Sequence, residues 1–172
     1  MAEEGDPAPR ILVLMGVAGC GKTTVGEMLA ECLGWRFLEG DALHPPENVE
    51  KMRAGIPLGD DDRWPWLAAV AGRIDIWRGQ EASGIVACSA LKRAYRDVLI
   101  GPREDVGLVH LHGSRALIGA RLAARTGHFM PPALLDSQLR TLEPPGPEEK
   151  AMTIAIDGDP AAIVARILER LA

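Results

Sequence analysis

Residues 16 to 23 read Gly-Val-Ala-Gly-Cys-Gly-Lys-Thr, an uninterrupted G-x-x-x-x-G-K-[ST]. Glycines at this spacing let successive backbone N–H groups turn inward around polyphosphate oxygens. Lys22 is long enough to reach β and γ phosphates, and the Thr23 hydroxyl suits Mg²⁺. Gly16, Val17, Ala18, Gly19, Cys20, Gly21, Lys22 and Thr23 therefore form a loop that binds the triphosphate of a nucleotide. Cys20 stands where an exposed helix N-terminus lowers a thiol pKa, which points to oxidation sensitivity rather than a redox role.

A second set of polar residues follows later apolar runs. Glu39, Asp41 and His44 come first, then Asp60-Asp61-Asp62-Arg63, then Ser89 and Lys92. A phosphate loop facing carboxylates and cations suits phosphoryl transfer to a small polar acceptor. Asp41 is the candidate to accept the proton of the attacking hydroxyl. If the chain stays extended, Glu39 projects to the same side and serves the Mg²⁺ shell, through water. The plainer alternative is that Asp41 begins a turn and Glu39 is solvated. Arg63 offers a guanidinium fork for an anionic group of the acceptor, or forms an ion pair with Asp60 or Asp62. Arg121 and Arg125, four apart, either swing over the transferred phosphate or place favourable charge at a helix C-terminus. His44 bonds a substrate hydroxyl or caps its helix. His110 and His112 are structural, and Trp64, Trp66 and Trp77 belong to the core or the pocket wall.

The elements that must position these residues alternate in type. Apolar runs at 11–15, 35–38, 84–88, 107–112 and 151–156 read as strands. Helical patterns fill the crossovers: Lys22 to Leu33, a Pro-opened helix after His44, a long helix capped by Asp60–Asp62, one from Lys92 to Ile100, one from Ser114 to Arg125, and a last one capped by Asp159-Pro160. This βα alternation predicts a parallel sheet with its ligands at the C-terminal strand ends.

At 172 residues the chain suits one domain, expected over 10–172, with residues 1–9 as a disordered N-terminal tail. Hydrophobic content of 47% against 25% charged is ordinary for a soluble protein, and no run approaches membrane-spanning length. A net charge of −5 gives no general attraction to nucleic acid. Three cysteines without metal-ligand spacing fit a reducing cytoplasm.

Further motifs are Asp41-Ala-Leu-His44-Pro, Asn48, Lys51-Met52, Gly55-Ile-Pro-Leu58, Asp62-Arg63, Pro65-Trp-Leu67, Cys88-Ser-Ala-Leu-Lys92, Tyr95-Arg-Asp97, Gly127-His-Phe-Met130 and Thr141-Leu-Glu-Pro144. With these the chain closely resembles the small P-loop gluconokinases, which are related to shikimate and adenylate kinases. The resemblance implies an α/β P-loop NTPase fold: a five-stranded parallel sheet of order 2-3-1-4-5 flanked by helices, with a mobile lid near 121–135. It implies phosphorylation of D-gluconate at the 6-hydroxyl by ATP and Mg²⁺, and a homodimer. Carried over by position, Lys22, Asp41, Arg121 and Arg125 are catalytic, and Thr23 and Glu39 serve the metal. Asp41, His44, Arg63, Ser89, Lys92, His128 and Gln138 meet the acceptor, and Asp159 and Pro160 lie beside adenine. Glu39 departs from the family's frequent Asp-x-Asp, which bears on whether it meets Mg²⁺ directly. The rival readings are a related kinase of another hydroxy acid or polyol, and a non-enzymatic ATP sensor.

Overall fold

Strand β1, Ile11–Met15, has every residue buried. Ile11, Val13 and Met15 face one apolar layer with Trp66, Val70, Ile74 and Leu99. Leu12 and Leu14 face the opposite layer with Val25, Leu29, Ile163 and Ile167. Cover on both faces is why this strand is a continuous apolar run rather than an alternating one.

The computed structural model describes residues 8–125 and 132–172. After β1 come α1 (Lys22–Leu33), β2 (Arg36–Glu39), a 3₁₀ turn (Gly40–Leu43), α2 (Pro46–Arg53) and α3 (Asp60–Gly79). The chain continues through β3 (Gly84–Ala87), α4 (Arg93–Leu99), β4 (Val106–His112), α5 (Arg115–Ala124) and α6 (Pro132–Thr141). A short 3₁₀ turn at Pro147–Glu149, β5 (Met152–Ala155) and α7 (Pro160–Leu171) complete it. The five strands are parallel in the order β2-β3-β1-β4-β5, as the resemblance implies. No helix among the described residues is long and apolar enough to cross a membrane.

Helix α1 has the expected bounds. It ends at Gly34, whose left-handed backbone (φ 67°) lets its N–H close on the last helical carbonyls. Other boundaries move for local reasons. Strand β2 runs one residue later than expected and takes in Glu39. Helix α3 is N-capped by Gly59, not by the aspartates: all three lie in its first turn, and the Asp62 carboxylate accepts from Gly59 N at 2.9 Å. Carboxylates there still complement the helix dipole. Ser114 and Asp159 cap α5 and α7 as expected, accepting from Leu117 N and Ala162 N. Helix α5 stops at Ala124, and Arg125 is extended at φ −72°, ψ 124°. Arg121 and Arg125 therefore do not share a helical face.

The tryptophans divide. Trp66 and Trp77 are buried, but Trp64 is 38% exposed and meets Tyr95 edge-on at 5.5 Å between ring centres. His110 is buried and His112 exposed, their rings 5.7 Å apart.

Candidate functional site

The loop after β1 is shaped by its glycines. Gly19 is left-handed (φ 84°), and a Cβ there would stand 2.7 Å from Leu122 Cγ. Any side chain would push α5 away from the loop. Lys22 arches back over the loop, its Nζ donating to Gly16 O at 2.8 Å and Val17 O at 3.1 Å. The Cys20 side chain is buried beneath it, with Sγ 3.8 Å from Lys22 Nζ. The exposed thiol expected from the sequence is therefore absent at this position. Cys88 is equally buried, and desolvation, with Asp41 adding to it, pushes its thiol up to about 12.

Beside this loop, the end of β2 turns sharply. Glu39 Oε2 accepts a short hydrogen bond from the Thr23 hydroxyl, while Glu39 Oε1 caps the 3₁₀ turn by accepting from Asp41 N at 3.4 Å. The turn separates the two carboxylates, so they do not project together as an extended chain would have them. Glu39 joins the phosphate loop, and Asp41, with its side chain 69% exposed, looks toward His44. The turn fits because residue 40 is glycine: a Cβ would lie 2.5 Å from the Ala87 carbonyl oxygen. Trp66 Nε1 donates to Gly40 O at 2.8 Å and fastens the turn to α3.

His44 does not cap α2, whose N-cap is Pro45. Its imidazole stacks on Trp66 at 4.1 Å and 17°. Burial, helped by the Arg63 charge, lowers the His44 pKa to about 4, so the ring is neutral near pH 7. Its Nδ1 is 3.1 Å from Asn48 Nδ2 and its Nε2 is 3.9 Å from Asp41 Oδ1.

On α3 two of the three first-turn aspartates are engaged by lysines. Lys92 Nζ bonds Asp60 at 3.1 Å, and Lys51 Nζ bonds both oxygens of Asp62 at 2.9 and 3.0 Å. These bonds hold both aspartates below the ordinary carboxylate range, the Tyr95 hydroxyl being the largest contributor at Asp60. Both aspartates that the sequence offers to Arg63 are thus bonded to lysines, and the Arg63 charge adds a smaller lowering at each. Arg63 Nη1 donates to the Tyr95 hydroxyl at 3.1 Å, and that hydroxyl makes a short bond to Asp60. The Arg63 guanidinium also lies 5.5 Å from the Tyr95 ring centre. Among the described residues it has no carboxylate partner.

These groups open onto one cleft of about 400 Å³. Ala18, Gly19, Gly21, Lys22 and Thr23 form its floor; Glu39, Asp41, His44, Arg63 and Ser89 form one wall; Arg125 and Gln138 lie on the α5–α6 side. Gln138 is tied to the floor, its Oε1 accepting from Ala18 N at 2.7 Å. Gly16, Val17 and Cys20 support the loop from below rather than lining the cleft.

Four further expected site residues lie elsewhere. Lys92 is turned onto Asp60. Arg121 is turned to the β5–α7 loop, where it donates to Ile156 O and to Gly158 O. Asp159 and Pro160 open α7 at that same loop, away from the cleft lining. His128 lies outside the described residues, as does the centre of the expected lid.

Asn48, Tyr95 and Trp66 were not singled out for chemistry from the sequence, yet they hold His44, Arg63 and the Gly40 turn. A buried asparagine beside a histidine at i−4 on a Pro-opened helix was the available signal for the first. A fourth support is Arg96, buried in the core. It donates to Ala90 O at 2.9 Å and Leu91 O at 3.1 Å and pairs with Glu149 at 2.6 Å. It braces the turn after Ser89, where Ala90 is left-handed at φ 45°.

A glycine-shaped phosphate loop between a central parallel strand and its helix, with the polar wall at the adjacent strand ends, is a P-loop arrangement suited to phosphoryl transfer. The shikimate kinase family model matches residues 18–58. A gluconokinase of Gluconobacter oxydans is 48% identical over 163 residues, covering 93% of this chain and 90% of its own. The crystal structure of a gluconokinase from Sinorhizobium meliloti has a TM-score of 0.87 at 48% identity, covering 95% of this chain and 92% of that one. Shikimate kinase from Aquifex aeolicus, at TM-score 0.58 and 18% identity over 94% and 95% of the two chains, shares the fold. The chain belongs to the gluconokinase family.

Proposed function

We propose that this protein transfers the γ-phosphoryl group of ATP to the 6-hydroxyl of D-gluconate, giving 6-phospho-D-gluconate and ADP. The observation that carries the reading is Arg63. Its neighbours Asp60 and Asp62 are each bonded to a lysine, which leaves its guanidinium, on the same wall as Asp41, for the acceptor's carboxylate. Asp41, on the same wall, accepts the hydroxyl proton as the oxygen attacks the γ-phosphorus and the ADP oxygen leaves. Lys22 swings from its carbonyl partners to the β and γ phosphates, and the backbone N–H groups of Gly19, Gly21, Lys22 and Thr23 receive the phosphate chain.

Thr23 and Glu39 supply oxygen donors of the kind Mg²⁺ prefers. Among the described residues no cluster of three His, Cys, Asp or Glu side chains could hold a metal. That suits an ion completed by phosphate oxygens and water, not a protein cage. When bound, the ion neutralises charge on the phosphates. Glu39 and Thr23 would hold it against the loop.

Gln138 and Arg125 close the cleft from the α5–α6 side; Asp159 and Pro160, outside the cleft lining, flank the base where the nucleotide extends past the floor toward the β5–α7 loop. His44 and Ser89 meet acceptor hydroxyls. The reading carries a homodimer in the cytoplasm, checked by sedimentation and by fractionation of cells. The decisive experiment is a coupled ADP-release assay across D-gluconate, shikimate, glycerate and nucleoside monophosphates. Gluconate should dominate; preference for another acceptor redirects the reading, and no turnover with any of them favours an ATP sensor.

A further inference from the structure

Asn48 is an uncharged side chain buried at 3% exposure, and its single amide nitrogen serves two partners. Nδ2 lies 2.8 Å from the backbone oxygen of Asp62 and 3.1 Å from His44 Nδ1. A backbone carbonyl only accepts, so the atom facing it is the amide NH₂. The second N–H of that group then points at His44 Nδ1, which must offer a lone pair. A neutral imidazole with a bare Nδ1 carries its hydrogen on Nε2. Nε2 is the atom turned toward Asp41, 3.9 Å from Oδ1.

We infer that Asn48 is a positioning residue of the transfer: it holds His44 as the Nε2–H tautomer, so that an acceptor hydroxyl sits between an N–H donor and the Asp41 carboxylate. This rests on the reading of the cleft as a sugar-acid kinase site. The separation of 3.9 Å is too long for a direct hydrogen bond. An oxygen about 2.8 Å from both atoms fits between them. It would accept from His44 and donate to Asp41, which fixes where its remaining lone pair points. The opposite tautomer would set two acceptors side by side, with nothing to orient the hydroxyl. Stacking on Trp66 fixes the plane of the ring, and Asn48 fixes which edge carries the proton.

The test is long-range ¹H–¹⁵N NMR on full-length protein labelled at histidine, without nucleotide or acceptor, with His44→Gln assigning the signals. Wild type should show Nδ1 bare and Nε2 protonated. Asn48→Asp, whose carboxylate accepts from Nδ1–H, should reverse the pattern, and Asn48→Ala should release it. Both should lower kcat/KM for gluconate by roughly tenfold, the worth of one oriented hydrogen bond, with the KM for ATP unchanged. A wild-type spectrum with Nδ1 protonated overturns the inference, even where a variant fails to fold. So does a reversed tautomer with undiminished kcat/KM. A purely structural Asn48 would lower Tm without moving the tautomer, which also overturns it. Failure of wild type to turn over gluconate counts against the kinase reading instead, and is separable because the spectrum needs no substrate.

Discussion

Replacing Arg63 by alanine removes the one positive charge on the wall formed by Glu39, Asp41, His44, Arg63 and Ser89 while leaving its architecture standing. Asp60 pairs with Lys92 and Asp62 with Lys51, while Arg63 has no carboxylate salt bridge among the described residues. Its loss costs the protein one hydrogen bond to Tyr95, whose hydroxyl keeps its bond to Asp60. Stability should therefore fall by no more than about 1 kcal/mol. The cost to acceptor binding is larger, because a guanidinium–carboxylate fork is charge-assisted. At about 1.5–3 kcal/mol, the gluconate KM should rise roughly 10- to 150-fold. Arg63→Lys keeps the charge and loses the fork, so it should fall between wild type and alanine. The assay is initial velocity with gluconate varied at saturating ATP, and the reverse, repeated with D-gluconamide. Wild type should prefer the acid to the amide, and Arg63→Ala should lose that preference. A gluconate KM that moves less than about threefold, an equal rise in the ATP KM, or an acid preference that survives in alanine would each refute the assignment.

Four further outcomes follow from the same geometry. Asp41→Asn should lower kcat by roughly 10²- to 10⁴-fold with ATP affinity intact, measured by turnover and nucleotide titration; a fully active variant removes Asp41 from proton transfer. Glu39→Gln should raise the Mg²⁺ concentration for half-maximal activity by about tenfold, and an unchanged Mg²⁺ curve would leave Glu39 with only its capping role. Gly40→Ala places a Cβ 2.5 Å from Ala87 O, so it should cost about 1–3 kcal/mol in chemical denaturation and lower kcat by moving Asp41. Burial lowers the pKa of His44 and of His110 to about 4 from 6.5, with His112 adding to the effect at His110. The unfolded chain then binds more protons between these values, so stability contributed by the neutral rings is full above pH 6.5 and drains away as pH falls toward 4. His110→Gln should flatten the Tm–pH curve in that window, and an equally steep curve would argue against burial as the cause.

What could be read from the sequence was local. The phosphate loop, α1 with its Gly34 stop, and the βα alternation each depend on residues within a few positions, and each took the expected form. The order of the strands came through resemblance, since no periodicity encodes it. The site residues held their places in the chain but not their partners. Glu39 and Asp41 parted because the 3₁₀ turn is set by contacts with β3 and Trp66. Arg121 found backbone oxygens 35 and 37 residues away that no spacing rule could indicate. Lys92 and Lys51 bond the two aspartates that sequence neighbourhood offers to Arg63, from 32 and 11 residues away.

The strand order explains why donor and acceptor groups can be held in register. Because β3 lies between β2 and β1, the ends of all three strands form one row. Gly16 N donates to Ser89 O at 3.2 Å, and Cys88 N donates to Leu14 O at 3.0 Å, which locks the phosphate loop to the end of β3. Gly40 packs on Ala87 O at that same end, and Thr23 bonds Glu39 across the row. The distance from the phosphate floor to Asp41 is thus set largely by backbone contacts, which do not rearrange with side-chain rotamers. Helices α2 and α3 then supply what the row lacks: Asn48, Trp66 and Arg63, whose side chains select the proton position, the ring plane and the charge presented to the acceptor. This division predicts that acceptor specificity can be altered by changes on α2 and α3 without loss of ATP binding. Changes at the glycines of the row should impair both substrates together.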